Sequence, residues 1–533
     1  MTTPTMRSTA LNAARRAREL GESCDGRTVD VLVVGLGVTG VGVALDAASR
    51  GLDVVAVDAH DLAFGTSRWS SKLVHGGLRY LANGHVRVAH ESAVERAILM
   101  ATTAPHLTRA LPMLLPLLPM VSHRQSAMAT AGIFAGDVLR ASARTSRDVL
   151  PRPRRICARE CASAAPPLRT AGMRGGVLSW DGQLEDDARL VTALARTAAG
   201  HGARILTRTR VLSLGRAGAL HRVEIRDERT GATSSIMARA VVNAAGVWAG
   251  DLVDEVSLRP SRGTHLVLRA ETVAGLRVAV TAPVPGETTR FVMVLPQPDG
   301  LVYAGLTDEP TDGPIPDVPE PSEVEIGFLL DVIGAVFQAP IRRADVVGAF
   351  AGLRPLLRTA GSGPDVTADL SRRHAVLTSA DGVVTVVGGK LTTYRRMAQD
   401  AMDAVVARRF PGAAPCRTRH LPLVGAASRE TLETLQAPQR LIRRYGTEAP
   451  TVLSSATDAT GLCGADLLAP VADGVPTTMA ELIFGVTHEG ALDVDDLLDR
   501  RSRVGLVPAD RAIAEPAAHT ALELAGEGEW CVS

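Results

Sequence analysis

Lysine is almost missing from this chain. Of its 58 basic residues only Lys72 and Lys390 are lysines, each in a glycine-containing segment; the rest are arginines. Arginine offers a planar, always-charged fork, whereas lysine offers a compact ammonium that enters tight sites. The two positions therefore read as places that need an ammonium, against the alternative that two lysines fell at random in an arginine-rich composition. Cysteine is also sparse. Cys24, Cys157, Cys161, Cys416, Cys463 and Cys531 are scattered, with no pair of CxxC elements. That excludes a disulfide framework and suits a reducing compartment. Cys157 and Cys161 share a helical spacing, but two ligands alone make a poor metal site, so no metal is expected. Neither sign of charge dominates, since the net charge is +1, and this removes the electrostatic case for nucleic acid. Long apolar runs are lacking as well. Leu111–Val121 is about half a membrane span and contains Pro112, Pro116 and Pro119, so it is no transmembrane helix. Residues 1–28 carry Arg7, Arg15, Arg16 and Arg18 without a signal-like apolar core and read as a flexible extension.

What is present is ordinary globular composition, 46% hydrophobic and 22% charged over 533 residues, enough for about two to four domains or interleaved lobes. The clearest segment is Val29–Asp58. An apolar run, Val31-Leu32-Val33-Val34, leads to glycines 35, 37 and 40, a small-residue helix to Arg50, and a second apolar run closed by Asp58. Strand, tight turn, helix and strand with a terminal acid form a dinucleotide-binding unit. Gly35 allows the turn, Gly37 admits the pyrophosphate, and Gly40 lets helix and strand pack. Asp58 would bind the adenosine ribose and repel a 2′-phosphate.

Further on, Asp186–Ala199 has helical spacing; Arg204–Leu214, His221–Arg226, Ala240–Asn243, Thr264–Leu268, Arg290–Leu295 and Leu301–Gly305 read as strands. Glu309–Pro321 is a proline-rich loop. Val383–Val387 leads to Gly388-Gly389-Lys390 and a helical stretch to Arg408, repeating strand, glycine turn and helix. A helix-rich tail follows, with Glu481–Leu498 its most regular part.

Three features point to a flavin bound along its length. Thr66–Tyr80 offers hydroxyls, amides and the Gly76-Gly77 pair for close approach to a flat ring. Val241–Gly246 ends a strand in small residues. Gly388-Gly389-Lys390 opens a helix, whose dipole and amides favour negative charge on a reduced flavin.

These segments resemble the FAD-dependent glycerol-3-phosphate dehydrogenases of the bacterial aerobic type. The similarity is carried in order by the Val31–Leu81 stretch with SSKLVHGGLRYL, by DDARLV, VVNAAGVW, RGTHLVL, AGLTDEP, FAGLRPL and VVGGKLTTYRRMA, and by ELIFGVTHEGALDVDDLLDRRSRVGL near the end. AGLTD stands where GTTD-like wording is expected, and Asp58 where many relatives have Glu. The resemblance implies an α/β fold: a Rossmann-like, glutathione-reductase-like FAD-binding core (29–105, 185–250, 346–410) interleaved with an antiparallel β-rich substrate and cap region (106–184, 251–345), plus a C-terminal helical domain (411–533). It implies oxidation of glycerol 3-phosphate to dihydroxyacetone phosphate by hydride transfer to FAD, with electrons passed to a membrane quinone by a cytoplasmic enzyme peripheral on the inner membrane face.

On that reading FAD is held by Gly35, Gly37, Gly40, Asp58, Thr66, Ser67, Ser71, Lys72, Leu73, His75, Gly76, Gly77, Val211, Ala244, Gly246, Gly389, Lys390, Leu391 and Thr392. For Lys72 a purely structural contact stays open. Arg79 and Arg354 would bind phosphate or the C2 oxygen, and Lys390 would stabilise alkoxide and reduced flavin. His265 is the preferred base, the alternative being a histidine hydrogen-bonded within its strand. Tyr80 is a substrate donor or a packing residue, and Thr307 and Asp308 order the site or cap a turn. The apolar Leu111–Val121 stretch, with the arginines at 140, 144, 147, 152, 154, 155 and 159, is expected to contact anionic lipid, or else to be a buried segment beside a solvated basic face. A homodimer stays open. The competing readings are a peroxide-forming flavin oxidase of glycerol 3-phosphate or of another hydroxy or amino substrate, and a flavin-holding regulatory protein without turnover.

Overall fold

The computed structural model describes residues 7–77, 81, 85–287, 290–358 and 373–526. The chain begins with helix α1 (Ala13–Cys24), capped by Asn12, whose side chain accepts from the Arg15 amide. Residues 7–24 were expected to be flexible, yet α1 packs its Arg15, Arg16 and Glu19 into the protein. Arg15 and Arg16 end on interior carbonyls and carboxylates instead of reaching water.

Strand β1 (Thr28–Val34) is buried on both faces, as a central parallel strand must be. It leads through the glycine turn into α2 (Val38–Ser49) and on to β2 (Val54–Val57). They sit in an eight-stranded sheet. Val384–Val387, Thr233–Asn243, β1, β2 and Arg204–Leu206 run parallel through its centre. The antiparallel pair Thr209–Ala217 and Leu220–Asp227 extends from Thr233–Asn243. The helix expected at Asp186–Ala199 is Asp187–Gly200, capped by Asp186.

A second, ten-stranded and mainly antiparallel sheet lies beside the first. Ser261–Arg269 pairs with both Leu301–Gly305 and Val346–Arg354. Val346–Arg354, expected within the FAD-binding core, is thus a strand of the substrate sheet. Its register is fixed along Ser261–Leu268. Two more helices frame this sheet, α3 (Val86–Ile98) and α4 (His123–Ser142).

Most of the apolar stretch at 111–121 is buried within the protein. Its first half lies in the strand Thr108–Pro116, sandwiched between Gly176–Leu184 and Ala279–Pro283. Leu111, Leu114, Leu115, Leu118 and Val121 are all buried, so the run is apolar because it is core. Nor is Glu481–Leu498 one helix. Met479–Thr487 ends at His488, Gly490 takes φ +72°, and a separate wide-turn helix starts at Asp496. A left-handed residue cannot continue a right-handed helix. No helix among the described residues is long and apolar enough to cross a membrane.

Candidate active site

A cavity of about 1540 Å³ runs between the two sheets. One end is built by the first strand–turn–helix unit. Gly35 sits at φ +104°, and a Cβ there would stand 2.5 Å from the Ala244 carbonyl oxygen, so only glycine can make this turn. Gly37 caps α2 without a side-chain acceptor of its own and lies on the cavity wall, so the helix N-terminus opens into the cavity. Ser67 Oγ accepts from the Val38 amide at 2.9 Å. Gly40 stays behind the wall, where a Cβ would come within 1.8 Å of the Gly35 oxygen. Asp58 lines the same end. Its carboxylate accepts the Leu36 and His60 amides at 2.7 and 2.8 Å, while burial raises its pKa.

Thr66, Ser67, Ser71, Leu73, His75, Val211, Ala244, Gly246, Gly389, Lys390, Leu391 and Thr392 all lie on the wall. Besides Gly40, three of the expected cofactor residues do not. Lys72 is 1% exposed; its Nζ donates to the Arg68 carbonyl at 2.5 Å and to Asp187 Oδ2 at 2.9 Å, and it stacks over the Phe350 ring. This ammonium is consumed by the interior and cannot reach a cofactor. Gly76 makes room for a guanidinium: a Cβ there would meet Arg96 Nη1 at 2.5 Å, and its amide donates to Asp181. Gly77, at φ +76°, is also off the wall. Arg79 and Tyr80 fall outside the described residues.

At the opposite end the substrate sheet supplies the polar groups. His265, on Ser261–Arg269, is buried with Nε2 2.8 Å from Ser71 Oγ and its ring stacked on Phe350. Burial, reinforced by the positive charges of Lys72 and Arg354, depresses its pKa to about 3, so the ring is neutral. Gly305 clears space for it; a Cβ there would lie 2.4 Å from His265 Cδ2. Arg354, at the end of its strand, donates to Asp308 Oδ1 (3.1 Å), Ser261 Oγ (3.2 Å) and the Thr307 carbonyl (3.2 Å) while remaining on the cavity wall. These contacts orient the guanidinium. Lys390 enters from the other sheet and donates to Ser92 Oγ on α3 at 2.7 Å. Gly388 and Gly389, at φ +77° and +74°, turn the chain so that Lys390 reaches the wall.

Sequence reasoning missed several of these residues. Asp187 holds Lys72; it lies in the DDARLV stretch, which carried resemblance but no assigned role. Ser92 is a mid-helix serine with no motif around it. Glu325, at the start of helix Glu323–Val336, accepts from Thr307 Oγ1 and Thr264 Oγ1 and so braces the strand carrying His265. Helix α4 also lines the cavity, through Gln125, Met128, Ala129, Gly132 and Ile133. Among the described residues there is no cluster able to hold a metal ion.

Long shape, a glycine turn opening onto a helix N-terminus at one end and a neutral histidine between cations at the other describe a dinucleotide-dependent redox enzyme. Comparison with known proteins agrees. Residues 30–395 match the FAD dependent oxidoreductase family, and residues 416–530 match the C-terminal domain of alpha-glycerophosphate oxidase. Glycerol-3-phosphate dehydrogenase 1 of Mycobacterium tuberculosis is 54% identical over 508 residues, covering 95% of this chain and 96% of the relative. Glycerol-3-phosphate dehydrogenase of Pseudomonas aeruginosa is 33% identical over 90% of this chain and 92% of its own. Among solved structures, the glycerol-3-phosphate dehydrogenase of Bacillus halodurans complexed with FAD superposes with a TM-score of 0.73 at 26% identity, covering 97% of this chain and 95% of that one. The chain belongs to the FAD-dependent oxidoreductases and, within them, to the glycerol-3-phosphate dehydrogenases.

Proposed function

We propose that this enzyme oxidises the C2 alcohol of sn-glycerol 3-phosphate to dihydroxyacetone phosphate and passes the electrons to a membrane quinone. The observation that carries this reading is that His265, Arg354 and Lys390 line the same cavity as a dinucleotide cradle. The residues fit FAD: the uncapped α2 N-terminus suits pyrophosphate, Asp58 suits ribose hydroxyls, and the Gly389–Thr392 turn suits the flavin edge. FAD supplies the two-electron acceptor for the hydrogen on C2.

The chain's own residues do the rest. Arg354 and Lys390 bring positive charge to the phosphate and to the oxygen that becomes anionic as its proton leaves. His265, neutral at physiological pH, accepts the hydroxyl proton, with Ser71 orienting the ring. Its low proton affinity arises from burial beside two cations. A dianionic phosphate offsets those cations, so the ring becomes a better base when substrate is present.

Helix α4 supports the membrane part of the proposal. It replaces the 111–121 stretch as the apolar surface: Met128, Phe134 and Val138 are 60%, 41% and 68% exposed and fall on one side at helical spacing. Arg147, Arg152, Arg154 and Arg155 are exposed just beyond its end, as an anionic lipid surface requires. Residues on the same helix also line the cavity, which supports an apolar acceptor entering beside it from the inner membrane face.

The test is anaerobic. The purified protein should show a flavin spectrum that bleaches on addition of glycerol 3-phosphate, and a quinone analogue should restore it faster than oxygen does. No bleaching defeats the reaction; faster recovery in oxygen makes the enzyme an oxidase. Phe134→Asp with Val138→Asp should weaken binding to phosphatidylglycerol vesicles about tenfold, and unchanged binding removes α4 from the membrane.

A further inference from the structure

The cofactor end of the cavity is braced from behind by the N-terminal helix. Thr209, Arg210, Val211 and Leu212 line the wall beside Asp58 and His60. The turn before them is stitched to the end of β2: the Arg208 amide donates to the His60 carbonyl at 2.7 Å, and the Thr209 amide donates to the Asp58 carbonyl at 2.6 Å. Arg208 itself holds φ +53°, a left-handed conformation that a residue with a long side chain adopts reluctantly. Something must hold it there.

Two distant parts of the chain do so. From α1, Arg16 is 6% exposed and turns its guanidinium onto this turn and Asp227. Its Nε donates to the Thr207 carbonyl at 2.6 Å, and its Nη2 donates to the Arg208 carbonyl (3.1 Å), Thr209 Oγ1 (3.3 Å) and Asp227 Oδ1 (2.6 Å). From the C-terminal domain, Asp493 and Asp496 accept from the Arg208 side chain, the latter at 2.8 Å. Helix α1 is in turn fastened to the same domain, where the Leu11 amide donates to the His488 carbonyl at 2.9 Å. Arg16 is not on the cavity wall and reaches it only through this turn.

We infer that Arg16 is a positioning residue for the adenosine end of FAD: it fixes the 207–210 turn and thereby the wall against which that end rests. The inference rests on the reading that Asp58 marks the adenosine end. It predicts that the cofactor loosens when Arg16 is lost, while the chemistry at the far end of the cavity is unchanged.

The experiment follows FAD release from diluted holoenzyme by the recovery of flavin fluorescence, for Arg16→Ala, Arg16→Lys, Arg208→Gly and Asp58→Asn. Arg16→Ala should release FAD about tenfold faster, with kcat and KM for glycerol 3-phosphate within about twofold at saturating FAD. Arg16→Lys keeps the charge but cannot span four acceptors, so it should fall in between. Arg208→Gly, which suits the left-handed backbone and keeps the Arg16 contacts to main chain, should speed release about threefold and serves if Arg16→Ala does not fold. Unchanged release from Arg16→Ala or Arg208→Gly, with Asp58→Asn faster, overturns the brace alone. Unchanged release from Asp58→Asn overturns the placement of the adenosine end and the brace with it. Release, kcat and KM all moving by one factor would show general loosening and also overturn the inference.

Discussion

The two lysines have opposite fates. Lys72 is sealed in the interior, its ammonium divided between the Arg68 carbonyl and Asp187; Lys390 stands on the wall of the cavity, hydrogen-bonded to Ser92. Arginine fails at each for a different reason. At Lys72 the ammonium is enclosed by a carbonyl, a carboxylate and the Phe350 ring, contacts that suit a compact charge better than a planar fork. At Lys390 the position follows two left-handed glycines and opens a helical turn, so a compact charge is delivered close to the main chain. Rarity of a residue type therefore marks constraint without saying whether the constraint is folding or chemistry.

That division can be broken by substitution. Lys72→Met should cost the most, about 3–5 kcal/mol in urea unfolding, because it leaves Asp187 charged, buried and unpaired; turnover per folded, flavin-loaded molecule should stay near the parent value. Lys390→Met should do the reverse. Stopped-flow bleaching by glycerol 3-phosphate should slow about 100-fold while the urea midpoint hardly moves. If Lys72→Met slows bleaching as much as Lys390→Met does, the two lysines do not differ in kind. A smaller effect is expected at the turn that presents Lys390: Gly389→Ala should lose about 1–3 kcal/mol, since φ is +74° and the new Cβ would stand 2.5 Å from Met397 Sδ.

The mildest test concerns His265, whose neighbours include Lys72. Its pKa falls from 6.5 to about 3 on burial, so the unfolded chain binds the proton first. Stability contributed by the neutral ring is complete above pH 6.5 and is lost as pH falls towards 3, with a slope of at most about 1.4 kcal/mol per pH unit. His265→Gln should flatten this part of the stability profile. In the kinetics, kcat/KM should show no acid limb from this group between pH 5 and 8, and the limb of kcat should lie at higher pH than that of kcat/KM because bound phosphate raises the ring's basicity. Coincident limbs would detach His265 from the phosphate.

Much of the cofactor end could be read directly from the chain. Gly35, Gly37, Gly40 and Asp58 are local: each role depends on neighbours within one strand–turn–helix unit, so spacing is informative. The strand Val384–Val387 and the turn after it were legible for the same reason. Lys72 was not, because its partner Asp187 is distant in sequence and no local pattern predicts a buried ion pair. The 111–121 stretch misled in another way. An apolar run looks the same whether it is covered by lipid or by two flanking strands, and only pairing with Gly176–Leu184 and Ala279–Pro283 decides it. His265, the proposed base, was legible as a residue, but its depressed proton affinity depends on burial and on charges brought from Lys72 and Arg354.

The interleaving of the two sheets bears on how the protein is made. The parallel sheet takes β1 near the start of the chain and Val384–Val387 from beyond its middle, and between them the chain crosses into the substrate sheet and back. A ribosome must therefore deliver nearly 400 residues before both glycine turns exist together. Flavin loading is consequently a late step in biogenesis, and the nascent chain carries an unfinished parallel sheet through most of its synthesis.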